Sequence, residues 1–289
     1  MLGSLQILSA LICVIFQAFI PANATTKPKW LTLPSTPTLP GRPIGKWTDI
    51  NGVKIWSAEF GCQNPGLPII LLHGGLGCSE YWGKIVEGLM VDRRVITVDT
   101  RGHGRSTMDD KPFTFELYAS DITALLKSFN IPKAVFIAWS HMAVATIAAM
   151  MDSGNSRYIE RAFLYGGYHD VAANNISFAS TEIYKQFVQR AIAERIKLQP
   201  TQLKKFLGAV KKLDSIYPTY STEQLAKISP GNKVTIAFGD HEEAIASWEI
   251  NLLPTLIPGS SKIIMKDVSH FGVLQDPDQF LSFVRSFLV

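Results

Sequence analysis

Six short apolar runs recur from residue 68 onward. They are PIILLH (68–73), RVITVDT (94–100), AVFIAWS (134–140), RAFLYGG (161–167), KVTIAFGD (233–240) and KIIMKDV (262–268). Each is continuously apolar, the pattern of a strand covered on both faces. Between them, segments 79–90, 114–129, 141–152, 243–254 and 277–288 read as helices. Such alternation predicts a doubly wound, mostly parallel α/β sheet. Upstream, KWTDING followed by VKIWSAEF predicts a hairpin around Asn51-Gly52, a strong two-residue turn signal. The hairpin adds two antiparallel strands at one edge, so eight strands are expected.

One interval breaks the rhythm. Residues 167–230 contain no strand-like run and read as helices: TEIYKQFVQRAIAERIKL, PTQLKKFLGAVKKL and STEQLAKI. This predicts a helical cap inserted after the sixth strand, on a core formed by 45–166 and 231–289. Residues 25–44 hold five prolines, which exclude a long helix or central strand and predict an extended arm, either lying on the surface or loosely ordered.

The N-terminus differs in kind. Residues 1–24 carry no charged side chain, and an apolar stretch from Leu5 to Ile20 ends at Pro21. Ala22-Asn23-Ala24 then fits a small-x-small cleavage site, so a secretory signal peptide cleaved near Ala24 is expected. The alternative, a retained membrane anchor, is weakened by the short run and by Gln6 and Gln17. Secretion without a stable membrane anchor is the expected fate. Asn175-Ile176-Ser177 is then a possible glycosylation acceptor. Cys13 leaves with the signal. Cys62 and Cys78 flank one predicted strand, roughly 20 Å long at ~3.3 Å per residue, too far apart for a disulfide. Two unpaired thiols are expected.

With 47 % hydrophobic and 18 % charged residues and a net charge of +4, the 289-residue chain is ordinary globular material. No basic run with interleaved aromatics suggests nucleic acid, and no Cys/His spacing suggests a metal. The predicted cap holds nine Lys/Arg against five Asp/Glu, an excess equal to the net charge of the chain. That excess is either a solvated helix face or an attractor for an anionic substrate.

Three segments fall just past strand carboxyl ends, where such sheets bind ligands. In LLHGGLG, Gly74-Gly75 lets backbone N–H groups approach an oxyanion. In VDTRGHGRS, Asp99 and Arg101 suit charge-assisted bracing of a compact loop. In FIAWSHMAVA, an apolar strand runs into Ser140 and then a helix, the setting of a nucleophile elbow. Ser140 needs a base and an orienting acid downstream. His270, directly after the last predicted strand, is the candidate base. In FGDHEEAI, Asp240, Glu242 and Glu243 compete for the acid, with Glu242 favoured and Asp170 a further alternative. The amides of Gly75 and His141 are the candidate oxyanion donors.

HGG at 73–75, DTRGHGRS at 99–106, Ser140 after its strand, GDHEEAI at 239–245 and SHFG at 269–272 together resemble the α/β-hydrolase fold superfamily, in its esterase-like branch. The resemblance covers roughly residues 45–289. It implies cofactor-free hydrolysis of a small ester or related acyl compound through an acyl-serine. The chain departs from the family at the elbow, where relatives commonly read G-W-S-D-G and Ala138, His141 and Met142 stand here. A thioether two residues past the serine predicts overpacking at ~1–3 kcal/mol and a displaced nucleophile. A non-catalytic or repurposed fold, with ligand binding or lyase, transferase or haloperoxidase-like chemistry, is therefore the competing expectation.

Overall fold

The computed structural model describes residues 27–41, 45–229 and 233–289. The expected signal peptide lies outside the described residues. Eight strands form one sheet: β1 Lys46–Ile50, β2 Val53–Phe60, β3 Ile69–Leu72, β4 Val95–Asp99, β5 Ala134–Trp139, β6 Ile159–Tyr165, β7 Lys233–Gly239 and β8 Ser261–Met265. Their order is β1-β2-β4-β3-β5-β6-β7-β8. The β1–β2 and β2–β4 pairings are antiparallel and the rest parallel. The helices are α1 Gly83–Leu89, α2 Phe115–Ser128, α3 His141–Met151, α4 Ser153–Ser156, α5 Glu182–Leu198, α6 Leu203–Ile216, α7 Thr222–Leu225, α8 Ser247–Leu256, α9 Gly272–Gln275 and α10 Pro277–Leu288.

The period of two along each strand divides the interior. Ile70, Leu72, Ile96, Val98, Phe136 and Ala138 face one way, into a core with α2 and α3. Their neighbours Ile69, Leu71, Val95, Val135 and Ile137 face the other, with α1 and α10. All six residues of β5 are buried. Helix α3 has no polar face either: ten of its eleven residues are buried, as expected of a helix apolar all round. Exposed polar positions mark the two edge strands, with Lys46 and Asp49 in β1 and Ser261 and Lys262 in β8.

The chain steps from β3 to β4, then crosses back past β3 to β5. The carboxyl ends of β3 and β5 thus meet where the winding reverses, the usual ligand crevice of an open α/β sheet. Gly74-Gly75 leaves β3 there and Ser140 leaves β5. Between β6 and β7 lie the helices α5, α6 and α7, with two isolated β-bridges, Asp170–Thr219 and Asn174–Ile245.

The Pro-rich arm lies on the surface as a strap rather than loosely. Trp30 stacks on His241 with ring centroids 3.8 Å apart. Lys29 pairs with Asp276 at 2.7 Å. Gln275 Nε2 donates to the Trp30 and Thr32 carbonyls at 3.2 and 3.0 Å, and Arg190 of α5 donates to the Pro34 carbonyl. No helix among the described residues is long and apolar enough to cross a membrane. Cys62 is exposed and Cys78 buried, and both are free thiols.

Candidate active site

Ser140 is bent into the left-handed region, with φ 54° and ψ −119°. A non-glycine residue holds that conformation only where its surroundings over-determine it. Here the Ser140 N–H donates to the Tyr165 carbonyl of β6 at 2.8 Å, and its carbonyl accepts the Val144 N–H at 3.1 Å. The turn lifts the hydroxyl off the end of β5 toward the last loops of the chain. There Ser140 Oγ lies 2.9 Å from His270 Nε2, and His270 Nδ1 lies 2.8 Å from Glu242 Oε1. That oxygen also accepts the Ala244 and Ile245 N–H groups at 3.0 and 3.3 Å. With Nδ1–H donated to the carboxylate, Nε2 is left as an acceptor for the serine hydroxyl.

The imidazole is held from several sides. The His270 carbonyl accepts Trp139 Nε1–H at 2.9 Å, and its N–H donates to Glu243 Oε2 at 2.9 Å. Gly166, at φ +64°, packs against the ring. A Cβ there would stand 2.6 Å from His270 Cε1, so only glycine serves. Burial alone would lower the His270 pKa. The Glu242 carboxylate more than offsets it, leaving the imidazole above its ordinary value. Glu243 moves up as well, through burial and then the charge of Glu242.

The other acid candidates lie elsewhere. Asp240 accepts the Val268 N–H at 3.3 Å and braces the β7 and β8 ends. Asp170 caps a short turn through the Ala172 N–H at 2.7 Å. The bracing role expected of VDTRGHGRS is present. Asp99 takes Ser79 and Arg105, while Arg101 forks onto Asp121 at 2.6 and 2.8 Å. His73 pins the glycine loop from behind, contacting the Gly74 carbonyl at 2.8 Å and accepting the Thr100 N–H at 3.1 Å.

Gly75 and His141 both line the cavity in front of Ser140. Their juxtaposition explains this glycine: the His141 ring lies on it, and a Cβ at Gly75 would stand 2.4 Å from His141 Nδ1. The overpacking expected of Met142 is absorbed. Its side chain is 1 % exposed, within the α2–α3 core that also holds Ala138 and Ala143, and Ser140 keeps its contact with His270.

The cavity has a volume of about 230 Å³. Aromatic rings line its His270 side, where Phe178 meets His270 edge-on at 5.7 Å and Phe187 packs on Phe271 at 5.0 Å. Among the described residues, neither Lys nor Arg lines it. In the helical interval Lys185, Lys197, Lys204, Lys205, Lys211, Lys212 and Lys227 are exposed, Arg195 is buried and Arg190 half-buried. The positive excess is therefore a solvated face, not a lining. Asn175 is also a wall residue. Its Nδ2 donates to the Glu243 carbonyl at 3.0 Å, so the amide of the expected sequon is occupied, and a glycan would forfeit that bond.

Asp214 of α6 was not legible in the sequence. It stands 2.7 Å from His141 Nε2, a second histidine–carboxylate pair beside the same serine. No spacing rule connects α6 with the elbow, so only the three-dimensional structure reveals it.

The sheet order, the strained serine turn and the three aligned side chains define an α/β-hydrolase fold with a Ser-His-Glu constellation. Comparisons agree: the family described as alpha/beta hydrolase fold matches residues 68–141. A non-heme chloroperoxidase of Streptomyces lividans is 32 % identical over 98 residues, 34 % of this chain and 35 % of that protein. A probable esterase of Oryza sativa subsp. japonica is 27 % identical over 132 residues, 40 % of this chain and 49 % of that protein. The chain thus spans between a third and a half of these two relatives. The enol-lactonase of Burkholderia xenovorans LB400 superposes with TM-score 0.67 at 20 % identity, covering 84 % of this chain and 99 % of that one. The chain has the α/β-hydrolase fold.

Proposed function

We propose that this protein is a serine hydrolase that cleaves a small ester, or a related acyl compound, through an acyl-enzyme. One observation carries the reading: a continuous chain from Glu242 Oε1 through His270 to Ser140 Oγ, with links of 2.8 and 2.9 Å, on a backbone turn strained at φ 54°. Ser140 Oγ attacks the substrate carbonyl while His270 Nε2 takes its proton. Glu242 holds the imidazole in the required tautomer and stabilises the imidazolium. The Gly75 and His141 amides receive the oxyanion. His270 then protonates the departing alcohol, and water, deprotonated by the same nitrogen, releases the acid and regenerates Ser140. The elbow departures do not argue against this, because Met142 is packed in the core and Ser140 still stands 2.9 Å from His270 Nε2. Secretion, after loss of residues 1–24, is part of the same proposal, and N-terminal sequencing of the exported protein would test it.

The test is covalent labelling with a fluorophosphonate, read by intact mass, on the natural chain and on Ser140→Ala. One adduct on the first and none on the second supports the reading. A folded natural chain that stays unlabelled sinks it. A second reading, haloperoxidase-like chemistry at the same three residues, is favoured by the Streptomyces relative. It requires peroxide-dependent halogenation that disappears with Ser140→Ala.

A further inference from the structure

The hydrolase reading leaves Asp214 unexplained. Its Oδ1 is buried against His141 Nε2 at 2.7 Å but makes no aligned hydrogen bond. The side chain is still 39 % exposed and lines the cavity, so Oδ2 is the carboxylate oxygen left facing open space. His141 is 9 % exposed, and its other nitrogen, Nδ1, is likewise buried without a partner beneath Gly75. The His141–Asp214 pair thus presents a carboxylate at the cavity wall. Burial first, then the Asp214 charge, pushes the phenols of Tyr168 and Tyr184 upward. Both rings are cavity walls, so the carboxylate field reaches the space a substrate would fill. Among the described residues, no Lys or Arg lines the wall to reverse its sign. The rings of Phe178, Phe187 and Phe271, packed beside His270, also line the cavity.

We infer that the site selects an ester with two features: an apolar, preferably aromatic, group lodged against Phe178, Phe187 and Phe271, and a hydroxyl or ammonium donor held by Asp214. Carboxylate-bearing esters are disfavoured. This rests on the hydrolase reading for the chemistry, but not for the binding preference. A charge-assisted hydrogen bond from hydroxyl or ammonium to a carboxylate is worth more than a neutral one. A substrate carboxylate would instead meet like charge with no cation to answer it.

A matched set tests the inference: benzyl 3-hydroxypropanoate, benzyl 3-methoxypropanoate, benzyl β-alaninate and monobenzyl succinate. They differ only in whether a hydroxyl, ether, ammonium or carboxylate faces Asp214. Binding is measured by calorimetry on Ser140→Ala, which needs no turnover. Turnover is measured on the natural chain alongside fluorophosphonate labelling. The hydroxyl and ammonium esters should bind about tenfold tighter than the ether, and the succinate about tenfold weaker. Adding Asp214→Asn should collapse the ammonium preference and the succinate penalty together. Succinate binding as tightly as the hydroxyl ester overturns the inference, as does an order that survives Asp214→Asn. If that variant does not fold, the order on Ser140→Ala alone decides. A correct binding order without labelling or turnover would fell the hydrolase reading and leave this one standing. Labelling with a flat order would do the reverse.

Discussion

Two histidine–carboxylate pairs flank Ser140, and they are built differently. In His270–Glu242 the carboxylate side chain is wholly buried and accepts two backbone N–H groups besides the imidazole. In His141–Asp214 the carboxylate sits on a surface helix, is 39 % exposed, and is not aligned with the ring. The first pair is rooted in loops leaving β7 and β8, the second joins the elbow to the helical interval. The same carboxylate–imidazole chemistry thus yields a fixed hydrogen-bonded chain on one side and an open electrostatic contact on the other. Burial and backbone support make the difference: Glu242 Oε1 takes three donors while its Oε2 is buried without one, and a charge is costly to bury unless such support is present.

The largest effect should come from the buried pair. Glu242→Gln should lower kcat about 10⁴-fold, as loss of the orienting carboxylate does in other triads. It should also move the acidic limb of kcat/KM to lower pH. The sign follows from the environment: the carboxylate raises the His270 pKa against burial, and removing it leaves burial to lower it. In the natural chain the same pair stabilises the fold fully below the ordinary imidazole pKa. That contribution is lost as pH rises through the raised value, measurable as Tm against pH. A limb that stays put in Glu242→Gln would mean the two pairs do not differ as described.

Next comes Gly166→Ala. The added methyl would meet the His270 ring at 2.6 Å, and a displacement of ~1 Å should lower kcat about 100-fold, with the fluorophosphonate reaction slowed in parallel. Met142→Gly, which restores the family's usual elbow, should destabilise by at least ~2–5 kcal/mol, the cost of truncating a buried methionine even to alanine. It should not raise activity. Higher turnover would show that the elbow is strained after all. Smallest is Asp214→Asn, which should cost under ~1 kcal/mol of stability, because a partly exposed pair is worth that little. A cost several times larger would place it with the buried pair.

The strands were legible because β3, β4 and β5 are covered on both faces, so their residues have no solvent side to record. Ser140, His270 and Glu242 were legible because each follows a strand end, where the fold orders its chemistry. The helical interval announced its helices but not its facing. Amphipathic spacing says which stripe of α6 is buried, not what that stripe meets. Asp214 belongs to that unreadable part. The consequence of Met142 was likewise not readable, since the free volume around a thioether depends on the small residues packed beside it.

The strap has a consequence for how the chain is made. Lys29 reaches Asp276, and Trp30 and Thr32 reach Gln275, so the earliest described residues are fastened to nearly the last. A nascent chain emerging from the ribosome carries this arm undocked until residues 275 and 276 have been made. His270 arrives equally late. Contacts of such sequence separation form late because loop closure must come first. The hydrogen-bonded chain of Ser140, His270 and Glu242 is therefore assembled only once residue 270 is in place, and the arm docks soon after.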